Sequence, residues 1–244
     1  MIEARNLTKK FGNLAAVDNV SFTIAPGDVV GFLGPNGAGK STTMRLLTGF
    51  LDADGGSARI CGYDMATARS EGQFCFGYLP EAAGGYPHLT VREFLIFCGE
   101  SRKLFGQDLR VAINNICSLI DLESALDKPM KTLSKGWRQR AWLAQAILHD
   151  PPVLILDEPT DGLDPIQKEQ VRSLIHSIAH KKAIILSTHI LEEAEVICTR
   201  AIIIANGRVV ADDTPKNLAD DKGRMAHAFH RLAANSLPVM AKPT

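Results

Sequence analysis

The 244-residue chain lacks a surplus of either charge, since 27 Lys and Arg are matched by 27 Asp and Glu. Without a global field, electrostatics draws the chain neither to nucleic acid nor to an anionic membrane, and no nucleic-acid partner is expected. Cysteine is sparse. Cys61, Cys75, Cys98, Cys117 and Cys198 are odd in number, widely spaced and set in apolar stretches without C-x-x-C spacing. That usage speaks against a disulfide framework or a thiolate metal site and suits a reducing cytoplasm. Long apolar runs are missing too. VLIL and AIII fall far short of the ~20 residues that a spanning helix needs, and MIEARNLTKKF carries charges where a signal peptide needs an apolar block. A membrane role is therefore expected only through a partner. Repeats and low-complexity segments are also absent.

What is present is a 45% hydrophobic content, enough for one good core or two small ones. Short β-like runs alternate with helical ones, the pattern of a parallel sheet covered by helices. VVGFL (29–33), VLIL (153–156), AIILS (183–187) and AIIIA (201–205) are rich enough in Val, Ile and Leu to be central strands buried on both faces. Between about Pro87 and Asp150 the character becomes helical, beginning at TVRE, where Thr90 and Glu93 have capping-box spacing. This stretch reads as a helical insertion. IEARNLTKKFG, AAVDNVSFTIAPG and SARICGYD read as hairpin material, so a small antiparallel sheet is expected to flank the parallel one.

Three stretches carry chemistry. GPNGAGKST (Gly34, Pro35, Asn36, Gly37, Ala38, Gly39, Lys40, Ser41, Thr42) follows the strand VVGFL and precedes the helical run TMRLL. In that setting G-x-x-x-x-G-K-[ST] is a phosphate-binding loop. Its backbone N–H groups turn inward around an anion, Lys40 reaches the β- and γ-phosphates, and Ser41 is a ligand for Mg²⁺. VLILDEPT ends a buried strand with two adjacent acids, Asp157 placed for Mg²⁺ and Glu158 for orienting an attacking water. STH ends the next strand. A lone histidine at a strand end is more often structural, but beside the other two motifs His189 reads as a contact to the γ-phosphate.

A fourth stretch, TLSKGWRQRAWLAQAIL (132–148), sets Ser134 as cap and Gly136 nearby at a helix start, a ready anion site. The chain already has one phosphate cradle, so the second is expected to serve nucleotide held by another molecule. Here the sequence resembles the ATP-binding subunits of ABC transporters, over nearly its whole length from Leu7 to about Pro215. The resemblance implies an α/β fold: a P-loop NTPase with a mostly parallel central sheet, an N-terminal antiparallel β subdomain and an inserted α-helical subdomain. It implies an ATPase domain over 1–215, with the helical part at about 87–150, followed by a short C-terminal helix and tail over 216–244. Carried over by position, Gly34–Ser41 is the phosphate loop, Asp157 the Mg²⁺ aspartate, Glu158 the catalytic glutamate and His189 the switch histidine. DGLD supplies Gly162, Leu163 and Asp164 of the D-loop, and LSKGW matches a signature motif usually written LSGGQ, keeping Leu133, Ser134 and Gly136. Phe11 resembles the adenine-stacking aromatic, the alternative being a buried hydrophobe of the hairpin.

Two departures stand out. Lys135 and Trp137 occupy places where the usual signature has Gly and Gln, and Lys135 is expected to bring a further cation near the γ-phosphate. Glu81, in GYLPE, stands where the family generally has glutamine. Either residue offers an oxygen to Mg²⁺, but a carboxylate adds charge and gives up the amide donor. These forms resemble the branch of exporter ATPases that includes drug-resistance and gliding-motility systems. In AAGGYPHL (82–89), Tyr86, Pro87 and Leu89 either face a membrane subunit or fold back on their own domain.

The family likeness implies two ATP molecules, with Mg²⁺, clamped between two such chains, identical or paralogous. Their opening drives export through an integral membrane permease at the cytoplasmic face of the inner membrane, to which the ATPase is peripheral. Two alternatives remain at this stage: a soluble ATPase of the same type acting on DNA or ribosomes, and a nucleotide-binding regulatory subunit with little turnover. A small-molecule kinase with a P-loop is remote, because it has no use for the signature or DGLD.

Overall fold

The computed structural model describes residues 1–82, 84–220, 224–226, 229 and 231. Two sheets organise them. Ile2–Phe11 (β1) and Leu14–Ile24 (β2) form a hairpin that opens the chain, and Val29–Leu33 (β3) then enters the central sheet. After Lys40–Leu47 (α1), Gly55–Ile60 (β4) and Tyr63–Asp64 (β5) return to the hairpin, giving an antiparallel sheet of order β2-β1-β4-β5.

Arg69–Phe74 (α2) leads to Phe76–Leu79 (β6), and three helices follow: Val91–Ser101 (α3), Gly106–Leu119 (α4) and Lys135–Ile147 (α5). The expected capping box at the head of α3 is formed: Thr90 Oγ1 accepts from Glu93 N, and Glu93 Oε2 accepts from Thr90 N. The chain then alternates through Val153–Asp157 (β7), Pro165–Ala179 (α6), Ala183–Thr188 (β8), Leu191–Ile197 (α7), Arg200–Ala205 (β9) and Arg208–Asp213 (β10). A four-residue helix, Pro215–Leu218 (α8), follows, and the expected tail beyond 231 lies outside the described residues.

The central sheet has order β10-β9-β3-β8-β7-β6, parallel except for β10. Its middle strands are buried on both faces, which is why they read as unbroken apolar runs. Alternate residues feed two cores. Val30, Phe32, Val153 and Ile155 face α1 and the antiparallel sheet, whereas Leu33, Leu154 and Leu156 face the helices α3 to α7. Strand β6 has no signature of its own in the sequence. FGYL is four residues long and becomes a strand by pairing with β7 from Phe76↔Val153 to Leu79↔Leu156. Likewise β10 is held by β9, with a register shift between Val209 and Ala211.

Candidate active site

In a parallel sheet the strand ends gather at one edge, and ligand sites form there. Strand β8 lies between β3 and β7, so the loop after β3, the acids at the end of β7 and the histidine after β8 are neighbours.

The loop after β3 turns through two glycines with positive φ, +80° at Gly37 and +106° at Gly39. Gly39 also has no room for a side chain, because a Cβ there would stand 2.3 Å from Ala16 O. It caps α1 without a side-chain hydrogen bond, so the first N–H groups of that helix face the loop interior. Lys40 is buried and folds over the loop, donating from Nζ to Gly34 O at 2.8 Å and to Pro35 O at 3.3 Å. Burial lowers its pKa, opposed by the charges of Glu158, Asp157 and Glu81. A cavity of about 220 Å³ opens here, lined by Ala16, Gly37, Lys40, Ser41, Thr42, Glu81 and Glu158 among others. A larger groove of about 690 Å³ along α6 has a mostly apolar lining with no basic side chain, so size does not mark the site.

Asp157, at the end of β7, is 2% exposed. Ser187 Oγ on β8 donates to its carboxylate, and the Ser41 hydroxyl is close enough to favour its charged form. Burial nonetheless pushes its pKa up, the hydroxyls opposing. Glu158 follows with φ of 51°, a left-handed turn that separates its side chain from that of Asp157. Its backbone is pinned from both directions: its N–H donates to Ser187, and its carbonyl accepts from Gln139 Nε2 at 3.0 Å. Both carboxylate oxygens of Glu158 lie 3.0 Å from His189 Nδ1. Burial raises the Glu158 pKa, and the histidine opposes that shift. Glu81 reaches the same place from the other side, accepting from Ser41 Oγ at 3.3 Å.

Phe11, at the end of β1, is exposed rather than packed into the hairpin, with Lys9 Nζ 5.9 Å from its ring centre. Ser134 caps α5 as expected, accepting from Trp137 N at 3.4 Å, and is exposed. Gly136 is buried, and a Cβ there would meet Gln167 Oε1 at 2.7 Å. Neither residue lines the phosphate cavity of its own chain. Asp164 caps α6, accepting from Gln167 N at 2.9 Å.

At the same helix tip, Lys135 Nζ pairs with Asp161 Oδ2 at 2.7 Å and its stem covers Gly162, so the extra cation of this signature has a partner within its own chain. Trp137 does not replace a polar signature residue in kind. Its ring lies under the buried Arg140 guanidinium, 3.9 Å from ring centre to Cζ, and Arg140 donates to Ile120 O and Asp121 O. Of the loop residues, Tyr86 packs its ring at a tilt against Phe94 and Phe97 of its own domain while remaining partly exposed, Pro87 is exposed, and Leu89 packs against the helical core.

Gln139 and Ser187 were not singled out from the sequence, although both stand inside motifs that were. Their partners lie 19 and 30 residues away, so no local spacing announced them.

A family model described as ABC transporter matches residues 17–161. The chain belongs to that family. It is an ATP-binding subunit of an ABC transporter, an ATPase, and among the described residues no helix is long and apolar enough to cross a membrane. The ATPase is 39% identical over 221 residues to Nod factor export ATP-binding protein I of Paraburkholderia xenovorans (strain LB400), covering 89% of this chain and 72% of that one. It is 36% identical over 219 residues to the probable multidrug ABC transporter ATP-binding protein YbhF of Escherichia coli (strain K12), covering 89% of this chain and 38% of that protein. A solved ATP binding subunit of an ABC transporter superposes with a TM-score of 0.88 at 30% identity, covering 95% of this chain and 99% of the other. The dimeric ABC transporter cassette MJ0796 shares the fold, with a TM-score of 0.80 at 24% identity over 88% of this ATPase and 98% of the cassette.

Proposed function

We propose that the ATPase powers export through a separate membrane permease, working as a dimer, of itself or with a paralogue, that clamps two ATP molecules. It would be peripheral at the cytoplasmic face of the inner membrane. The domain limits go with this reading: an ATPase domain over 1–215 with the helical part at about 87–150, and a short helix and tail over 216–244. Export is favoured by the relatives, named for Nod factor export and multidrug transport.

The observation that carries the clamp is a separation within one chain. The cavity at the phosphate loop holds Lys40, Ser41, Glu81 and Glu158, while the capped helix tip with Ser134 is exposed and outside it. A second copy placing Ser134, Gly136 and Asp164 over that cavity gives the helix tip an anion to bind.

Within the cavity, backbone N–H groups of the loop after Pro35 and the Lys40 ammonium hold the phosphates, Lys40 exchanging its carbonyl partners for phosphate oxygens. Phe11 stacks on adenine. Glu158, partly buried and close to His189, takes the proton of a water attacking the γ-phosphorus as the bond to ADP breaks. His189 holds Glu158 with Nδ1 and presents its opposite ring nitrogen to the departing phosphate. The oxygen donors Ser41, Asp157 and Glu81 suit Mg²⁺, a hard cation, and Ser41 already hydrogen-bonds Glu81 beside Asp157. Bound there, Mg²⁺ would neutralise charge on the β- and γ-phosphate oxygens.

The test is the association state of Glu158→Gln. On adding ATP and Mg²⁺ it should pass from monomer to dimer in size-exclusion chromatography, and a protein that stays monomeric throughout overturns the clamp.

A further inference from the structure

The Glu193 carboxylate on α7 is buried, with the residue 2% exposed, and it is bonded by groups from three other places in the fold. Oε2 accepts from Thr160 Oγ1 at 2.5 Å and from Thr188 Oγ1 at 3.4 Å, and Oε1 accepts from Lys168 Nζ at 2.9 Å. Each partner is placed meaningfully. Thr160 lies two residues after Glu158, in the turn that leads to Asp164, and its carbonyl accepts from Leu163 N at 3.3 Å. Thr188 immediately precedes His189, and its hydroxyl also accepts from Ile190 N at 3.0 Å. Lys168 belongs to the first turns of α6, the helix that Asp164 caps.

Both threonines are buried, so their bonds to Glu193 are shielded from solvent. An uncompensated carboxylate in such a place is costly; the lysine supplies its counter-charge, and the hydroxyls fill its acceptor sites. Glu193 itself does not line the phosphate cavity, so any influence on chemistry passes through these partners. Moving the strand end with His189 away from the turn with Asp161–Asp164 breaks a bond inside a low-dielectric network.

We propose that Glu193 is a positioning residue that fastens the turn carrying Asp164 to the strand end carrying His189, so that both answer the γ-phosphate as one unit. This rests on the clamp reading, because only there does Asp164 have a role beyond capping α6.

The experiment compares phosphate-release kinetics and fluorescent-ATP affinity in the full chain. Glu193→Ala should lower kcat by about tenfold or more, with KM and ATP affinity within about twofold. Glu193→Gln combined with Lys168→Met keeps an amide oxygen for the threonine hydroxyls without an unpaired cation opposite the amide. It should recover kcat to within about threefold of Lys168→Met alone, a rescue that a merely space-filling role does not require. Should Glu193→Ala fail to fold, Thr160→Val with Thr188→Val removes the hydroxyls at constant shape and should give the same split. Unchanged kcat in Glu193→Ala, or in the double valine variant, overturns the proposal. So does a parallel fall of kcat and affinity that the glutamine variant does not relieve. Ser134→Arg keeps this separate from the clamp: full turnover there removes the clamp, whereas lost turnover there with full turnover in Glu193→Ala removes only the role of Glu193.

Discussion

His189 Nδ1 stands 3.0 Å from both carboxylate oxygens of Glu158, across the ends of the adjacent parallel strands β7 and β8. The pair exists because β8 is inserted between β3 and β7, which brings the acid and the histidine to the edge where the phosphate loop also ends. Glu158→Gln removes a proton acceptor but keeps the shape. Phosphate release should fall about 100-fold or more, the lower range of what a general base contributes, while ATP is still retained on a filter or column. Turnover within a few-fold of the parent would exclude Glu158 as the base.

Lys40 is poised rather than free, its ammonium parked on Gly34 O and Pro35 O among three acids. Lys40→Ala deletes charge-assisted bonds to phosphate worth roughly 1.5–3 kcal/mol, so ATP affinity should fall about tenfold to a hundredfold by fluorescence titration. An unaltered affinity would remove the loop's assignment.

Ser134 is exposed and capped onto Trp137 N, outside the cavity of its own chain. Ser134→Arg should leave ATP binding by the monomer intact and abolish turnover, because a bulky cation would sit in the seam. Titration and phosphate release, measured on one preparation, decide it. Loss of monomer binding would mean that the helix tip serves its own chain.

His149, beyond the end of α5, is pushed down to about 4 by burial, with Arg102 and Lys182 adding repulsion. The unfolded chain protonates this histidine at the ordinary 6.5, the folded chain only near 4. Between those values the unfolded state holds more protons, so stability falls as pH drops through that window. The melting temperature should decline over this range, and His149→Asn should flatten the decline by calorimetry. Equal slopes would place the acid sensitivity elsewhere.

Much of the site was legible because its parts are local. Gly34–Thr42 is one continuous run between a strand and a helix, and Thr90 with Glu93 or Ser134 with Trp137 are contacts three residues apart. Spacing along one turn of chain is enough to read those. The partner of Lys135 was not legible for the converse reason: Asp161 is 26 residues away, on a turn whose position depends on the whole sheet. Strand β6 escaped notice because four residues with two aromatics have no period to recognise, and only β7 makes them a strand.

The sequence by itself determined which groups carry the chemistry and the order in which they follow, since residue type, glycine placement and helix caps are properties of neighbours in the chain. The tertiary structure alone decided that Glu158 meets His189, that Ser187 bonds Asp157 and Ser41 bonds Glu81, and that Glu193 joins two loops through Thr160 and Thr188. Those contacts bridge roughly 30 residues or more in most cases, and they exist only once strand order and burial have set each strand end beside the next.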